Sequence, residues 1–295
     1  MTCKATETMK RPFNPTAEQC AVIHSSVDVL LVQAFAGTGK TSTLIELARA
    51  NPQLRILYMA FGKAVQAAAA LRFPSNVVCK TGHALAWGRF GSAYKAAGKL
   101  GFVNARELAG LFSLMPREAR HVLTALECFI QSADATLGDS HTASDVVDKI
   151  YRGRVLKLAS DAWSIMLDKH DGRLKMTHDG YFKLFQLSRP DLSLDYDLIL
   201  GDEWQDTNPV VHALVSTQTC RLIFVGDTHQ SIYAFRGATN AMRQVEADFS
   251  RSNFETMSMP PIRGPSSHST CTALWLATAK IRPRAGGIPS APSPT

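Results

Sequence analysis

Near the N-terminus a short apolar run, Val29 to Val32, leads straight into Ala34-Phe35-Ala36-Gly37-Thr38-Gly39-Lys40-Thr41. The run is rich in β-branched residues and reads as a buried strand. Thr43 to Ala50 reads as a helix that Asn51-Pro52 stops. The turn between them has the form [AG]-x4-G-K-[ST], with Ala34 at its first position. Small residues there let backbone N–H groups close around phosphate oxygens, and the helix N-terminus adds a positive field. Lys40 offers a charge to the β and γ phosphates of ATP, and Thr41 a hydroxyl to magnesium. The nucleotide-binding set is then Ala36, Gly37, Thr38, Gly39, Lys40, Thr41 and Ser42. The plain alternative is a glycine-rich turn that matches by accident; the strand before it and the helix after it count against that.

The pattern repeats downstream. Ile56 to Ala60 reads as a second buried strand, Ala64 to Leu71 as an Ala-rich helix, and Val77 to Cys79 as a third strand. Strand and helix alternating in this way predict an α/β fold, a parallel sheet covered on both faces. From about Ser92 to Pro190 the character changes. Leu108, Leu111, Phe112, Leu123, Leu126 and Ile130 recur at helical spacing across Arg106 to Ile130, and Val146 to Leu167 continues in the same style. This predicts a helical insertion. Strand signals return at Leu198-Ile199-Leu200 and Leu222-Ile223-Phe224-Val225, with Asn208-Pro209 between them as a helix N-cap and first turn. The expected divisions are 1–91 and 191–256 for the two parts of the sheet domain and 92–190 for the insertion. The remaining stretch, 257–295, is a divergent tail, and its Pro/Gly/Ser-rich end from Arg282 is expected to be disordered.

A second motif follows the fourth strand. Leu198-Ile199-Leu200-Gly201-Asp202-Glu203-Trp204-Gln205-Asp206 is an apolar strand ending in carboxylates. Strand ends of a parallel sheet face the ligand. Asp202 is placed to hold magnesium, and Glu203 to orient and deprotonate an attacking water. Alone, such a stretch reads as a solvated acidic loop; beside a phosphate loop it reads as the other half of a nucleotide site.

With 295 residues, 45% hydrophobic, the chain can build one large or two modest domains. Its formal net charge of +7 favours a polyanionic partner such as nucleic acid, though charge alone is a weak argument. The six cysteines form no C-x-x-C pair and read as reduced, buried hydrophobes. The N-terminus lacks the apolar core of a signal peptide. No apolar run approaches the roughly 20 residues that span a bilayer. A soluble, intracellular protein with no membrane partner is expected.

The acidic motif resembles the D-E-x-Q-D form of superfamily 1 helicases of the UvrD/Rep type, and further stretches agree in that family's order. Phe13-Asn14-Pro15-Thr16-Ala17-Glu18-Gln19 is similar to its Q motif. Ala60-Phe61-Gly62-Lys63 resembles motif Ia, and Thr81-Gly82-His83 motif Ib. Motif III is matched by Val225 through Ala238. Thr177-His178-Asp179-Gly180-Tyr181-Phe182-Lys183 resembles the F-box DNA helicase branch. The resemblance implies a RecA-like fold and an ATP-dependent motor on single-stranded DNA, with ATP and Mg2+ bound. It implies that Gln19 reads the adenine edge, that Gln230 senses the γ-phosphate, and that Arg236 links the nucleotide to the DNA-stacking loop. Phe61, Tyr233 and Phe235 would stack on unpaired bases, each such contact worth roughly 1–3 kcal/mol. Lys63 and Thr81 would meet the DNA backbone. Tyr233 and Phe235 also read as core aromatics, and His83 reads equally as a structural hydrogen-bonding group or a DNA contact.

The sequence departs from the pattern in places. Trp204 stands where the family has a small residue or phenylalanine, and Gly62 where it has asparagine. After motif III only Ile262-Arg263-Gly264-Pro265 echoes motif IV, and nothing matches motifs V and VI of the second RecA-like domain. That domain supplies an arginine to the γ-phosphate and half of the DNA track. A partner domain missing from this chain is therefore expected, with slow hydrolysis and no unwinding by the chain alone. A module that binds nucleotide and DNA without turnover is the first rival, and a small-molecule kinase the second. DNA-stimulated phosphate release separates the first, and a DNA-independent phosphoryl acceptor the second.

Overall fold

The apolar runs become strands of one parallel sheet. The structure, a computed structural model, describes residues 14–227, 241–249 and 253–260. In chain order its elements begin with α1 (Ala17–His24), β1 (Val29–Ala34), α2 (Lys40–Ala50), β2 (Ile56–Met59), α3 (Lys63–Ala70) and β3 (Val77–Lys80). Helices follow: α4 (Gly82–Ala86), α5 (Ser92–Ala96), α6 (Ala105–Phe112), α7 (Pro116–Gln131), α8 (Lys149–Leu167) and α9 (His178–Leu187). The sheet resumes with β4 (Leu198–Gly201), then α10 (Pro209–Ser216), β5 (Arg221–Gly226), α11 (Ala241–Phe249) and β6 (Phe254–Met259). The strand order is β3-β2-β4-β5-β1-β6, with parallel pairing throughout.

Alternate residues of each strand feed opposite faces, as the pleat requires. Leu30, Val32, Ile56 and Tyr58 pack with Leu44 and Leu47 of α2 and Val22 of α1. Leu31, Leu57, Ile199 and Phe224 pack on the other face with α10, α11 and the insertion helices. Both faces are covered, which is why β2 and β4 are buried at every position and read as unbroken apolar runs.

The helical spacing of residues 106–130 belongs to two helices. Helix α6 stops where Ser113 turns left-handed, at φ 55°, and α7 restarts with Pro116 in its first turn. Helix α8 begins at Lys149, three residues after the sequence signal at Val146, because the Asp148 side chain accepts from the Tyr151 N–H and caps it. Strand β6 was not anticipated. It pairs in parallel with β1 from Phe254 opposite Val29 to Met259 opposite Ala34, and so crosses the 256/257 division. As an edge strand with only Met259 fully buried, it offers no apolar run to read. The cysteine expectation also needs correction. Of the free cysteines Cys79, Cys128 and Cys220, Cys128 is exposed rather than buried. Among the described residues no helix is long and apolar enough to cross a membrane.

Candidate nucleotide site

The strand order puts the carboxyl ends of β1 and β4 on either side of β5. Neighbouring strands lie about 4.8 Å apart, so the two ends are within side-chain reach of each other. The loop after β1 needs a left-handed residue at its exit, and Gly39 supplies it at φ 76°. Helix α2 then starts at Lys40 and aims its first turn at the acidic loop. The Thr41 hydroxyl donates to Asp202 Oδ2 at 2.9 Å, and Lys40 Nζ meets Glu203 Oε2 at 2.7 Å. Lys40 and Asp202, far apart in sequence, are thus brought to one place.

Asp202 is 8% exposed. Burial pushes its carboxyl above the usual carboxylate range, opposed by hydrogen bonds from Tyr58 and Thr41. The Tyr58 hydroxyl donates to Oδ2 at 2.8 Å and the Glu203 N–H to Oδ1 at 3.0 Å. Glu203 sits at φ 49°, a left-handed backbone costing on the order of 1–3 kcal/mol, a kind of strain that collects at functional sites. Gln205 stabilises that turn. Its Nε2 donates to Glu203 Oε2 at 3.0 Å and to Asp206 Oδ2 at 3.2 Å. Its Oε1 accepts from the Asp227 N–H, just past β5, at 3.0 Å.

Trp204, the departure from the family pattern, is buried and folds back over Gly201. A Cβ on Gly201 would stand 2.4 Å from the Trp204 ring, so glycine is required there. The indole packs on Phe224 at 4.6 Å and its Nε1 donates to His212 Nδ1 at 3.4 Å. His212 Nε2 in turn faces Asp248 Oδ2 at 2.8 Å, tying the acidic loop through α10 to α11. Tyr58, Gln205 and His212 were assigned no role from sequence. Gln205 lay within the motif; Tyr58 was one more residue of an apolar strand.

Gln19 is 3% exposed, and both ends of its amide are engaged within the protein. Its Oε1 accepts from the Thr16 N–H and its Nε2 donates to Thr38 O, each at 2.9 Å, bracing the phosphate loop from beneath. An adenine contact would exchange one of these bonds. Ala36 and Gly37 are exposed, Thr38 is buried, and Ser42 accepts from Arg72 at 3.2 Å. A cavity of about 280 Å³ adjoins Asp202 and is lined by Phe61, Thr81, His83, Asp179, Phe182 and Trp204 among others. Phe61 is 54% exposed at its rim. Lys63 is exposed at the start of α3. Thr81 is buried and its hydroxyl caps α4, accepting from the Ala84 N–H. His83 Nε2 lies 2.9 Å from Asp179 Oδ1, a bond that joins α4 to α9. Gln230, Tyr233, Phe235 and Arg236 lie outside the described residues, as do Phe13 and the motif IV echo.

A magnesium ion needs hard oxygen ligands and keeps several of its waters, taking only one or two from the protein. The Thr41 hydroxyl and the Asp202 carboxylate, already 2.9 Å apart, fit that requirement. No cluster of three or more His, Cys, Asp or Glu side chains suited to a metal occurs among the described residues, so the rest of such an ion's shell would come from phosphate and water.

A parallel sheet with a phosphate loop after one strand and an acidic pair after another defines a P-loop protein of RecA-like fold, interrupted by a helical insertion. Residues 155–250 match the model of the UvrD/REP helicase N-terminal domain. The chain is 38% identical to F-box DNA helicase 1 of Gallus gallus over 253 residues, 78% of this chain and 25% of that protein. It is 36% identical to F-box DNA helicase protein 1 of Schizosaccharomyces pombe over 249 residues, 76% of this chain and 28% of that protein. These matches make the chain similar to the N-terminal domain of UvrD/REP helicases. It spans about a quarter of the length of these relatives.

Proposed function

We propose that this chain is the ATP-binding half of a DNA helicase, binding Mg·ATP between the phosphate loop and the acidic loop and hydrolysing it to drive movement on single-stranded DNA. The observation that carries the reading is the meeting of Lys40 with Glu203 and of Thr41 with Asp202. In this reading Ala36 to Ser42 wrap the phosphates with backbone N–H groups, and Lys40 leaves Glu203 for the β and γ phosphates. Thr41 and Asp202 hold magnesium, which when bound screens the charge that builds on the phosphates. Glu203 takes a proton from the attacking water while Gln205 holds its carboxylate in place. Gln19 reads adenine; Gln230 and Arg236 sense the γ-phosphate and couple it to DNA.

DNA would run past Phe61, Lys63, Thr81 and His83 along the cavity beside Asp202, with Tyr233 and Phe235 as further stacking faces. That path begins at the ends of β2 and β3, next to the strand end bearing the acids, so a base seated there could be felt at the metal. A second RecA-like domain, supplied from outside these 295 residues, would complete both the arginine set and the DNA track. The divisions 1–91 and 92–190, with 191–256 extended through the end of β6 at Met259, are proposed as the sheet domain's first part, its insertion and its second part.

Phosphate release measured with and without single-stranded DNA tests this. DNA-stimulated release that Lys40→Ala abolishes is the expected outcome. Release indifferent to both DNA and Lys40→Ala overturns the reading; nucleotide and DNA binding with no turnover favours the binding module instead.

A further inference from the structure

Tyr58 is a polar group of this site that no motif names. It lies in β2, 1% exposed, with its ring 4.8 Å from that of Phe73. Its hydroxyl donates to Asp202 Oδ2 at 2.8 Å, an oxygen that also accepts from Thr41 at 2.9 Å. The Glu203 N–H holds Oδ1 at 3.0 Å. Three donors therefore set the direction of the carboxylate. Thr41 is the one also assigned to the ion, and the Glu203 N–H belongs to a strained turn. Tyr58 comes from a different strand, outside both loops, and is fixed by core packing. A buried phenol that lost this acceptor would carry the desolvation cost of an unmade hydrogen bond, so the pair holds from both sides.

We propose that Tyr58 is a positioning residue for the metal: it keeps the Asp202 carboxylate turned toward Thr41, so that the ion meets a ligand already in place. The proposal rests on the reading that Thr41 and Asp202 share a magnesium ion. Groups that orient a metal ligand from behind commonly govern metal affinity by about 10- to 100-fold. Tyr58 also lies three residues before Phe61, on the strand that leads to the rim of the cavity. It thereby ties the acid to the proposed DNA path.

The test is a magnesium titration of the binding of a fluorescent ATP analogue to the 295-residue chain. Tyr58→Phe removes one oxygen and keeps the ring. It is expected to raise the half-saturating Mg2+ concentration about tenfold, while affinity for the same nucleotide in EDTA is unchanged. Phe73→Leu loosens the ring packing and keeps the hydroxyl, and is expected to titrate like the wild type. A Tyr58→Phe chain with wild-type magnesium dependence overturns the proposal. So does a Phe73→Leu chain with the same loss as Tyr58→Phe, since the effect would then be packing. If wild-type binding ignores magnesium, the shared-ion reading itself fails; a responsive wild type with an unaltered Tyr58→Phe removes this inference alone.

Discussion

Glu203 carries two unlike constraints at once. Its backbone is left-handed and its carboxylate is divided between Lys40 and Gln205. Its side chain is 46% exposed on a strained turn, and backbone strain of this kind collects at functional sites. Its proposed task is proton transfer, so Glu203→Gln keeps the shape and removes the base. DNA-stimulated phosphate release should fall by about 10²- to 10⁴-fold while nucleotide affinity holds. Loss of both together would instead mark Glu203 as a binding group. That Lys40, Thr41, Asp202 and Glu203 meet at one place was legible in sequence, because phosphate and metal chemistry admits few residue types at fixed offsets. Tyr58 was not legible. Its hydroxyl matters only because β2 lies beside β4, a fact of sheet order that no local spacing encodes.

At the level of elements, helix α9 shows why a family-like block need not be catalytic. Thr177 caps it, accepting from the Gly180 N–H at 2.9 Å. Gly180 packs so closely that a Cβ would stand 2.7 Å from Met176 Sδ. Lys183 is fully buried and donates to Ser132 O at 2.8 Å and Asp134 O at 2.6 Å, closing the end of α7 with its charge over the Phe129 ring at 4.8 Å. Burial pushes the Lys183 ammonium down to about 8 from 10.5. Between those values the unfolded chain binds the proton more readily than the folded one, so stability from this group rises as pH climbs from about 8 toward 10.5. Urea midpoints at pH 7.5 and 9.5 check this: the wild type should gain on Lys183→Met at the higher pH. Equal changes in both would show that Lys183 keeps its ordinary affinity for the proton. The helices and buried strands were readable from periodicity, whereas the break at Ser113 and the edge strand β6 were not. The break depends on one left-handed residue, and β6 is specified by pairing with β1 rather than by its own apolar residues.

For the whole molecule, the sheet gathers the ends of β1, β2, β3 and β4 along one edge, so the phosphate loop, the acid pair and the cavity beside Asp202 share a single rim. A motor needs that rim to close against a second body and reopen. The 295-residue chain assayed alone should therefore hydrolyse ATP slowly, and a strand-displacement assay should detect no processive unwinding. Processive unwinding by the purified chain would refute the need for a partner domain. The most direct measurement is a crystal structure of the chain with Mg2+ and a non-hydrolysable ATP analogue. The γ-phosphate should lie at Lys40 Nζ, with one magnesium about 2.1 Å from Thr41 Oγ1 and hydrogen-bonded through its shell, or joined directly, to Asp202. A nucleotide bound elsewhere, or an ion that meets Thr41 but leaves Asp202 out of reach, would contradict the claim that the two loops form one site.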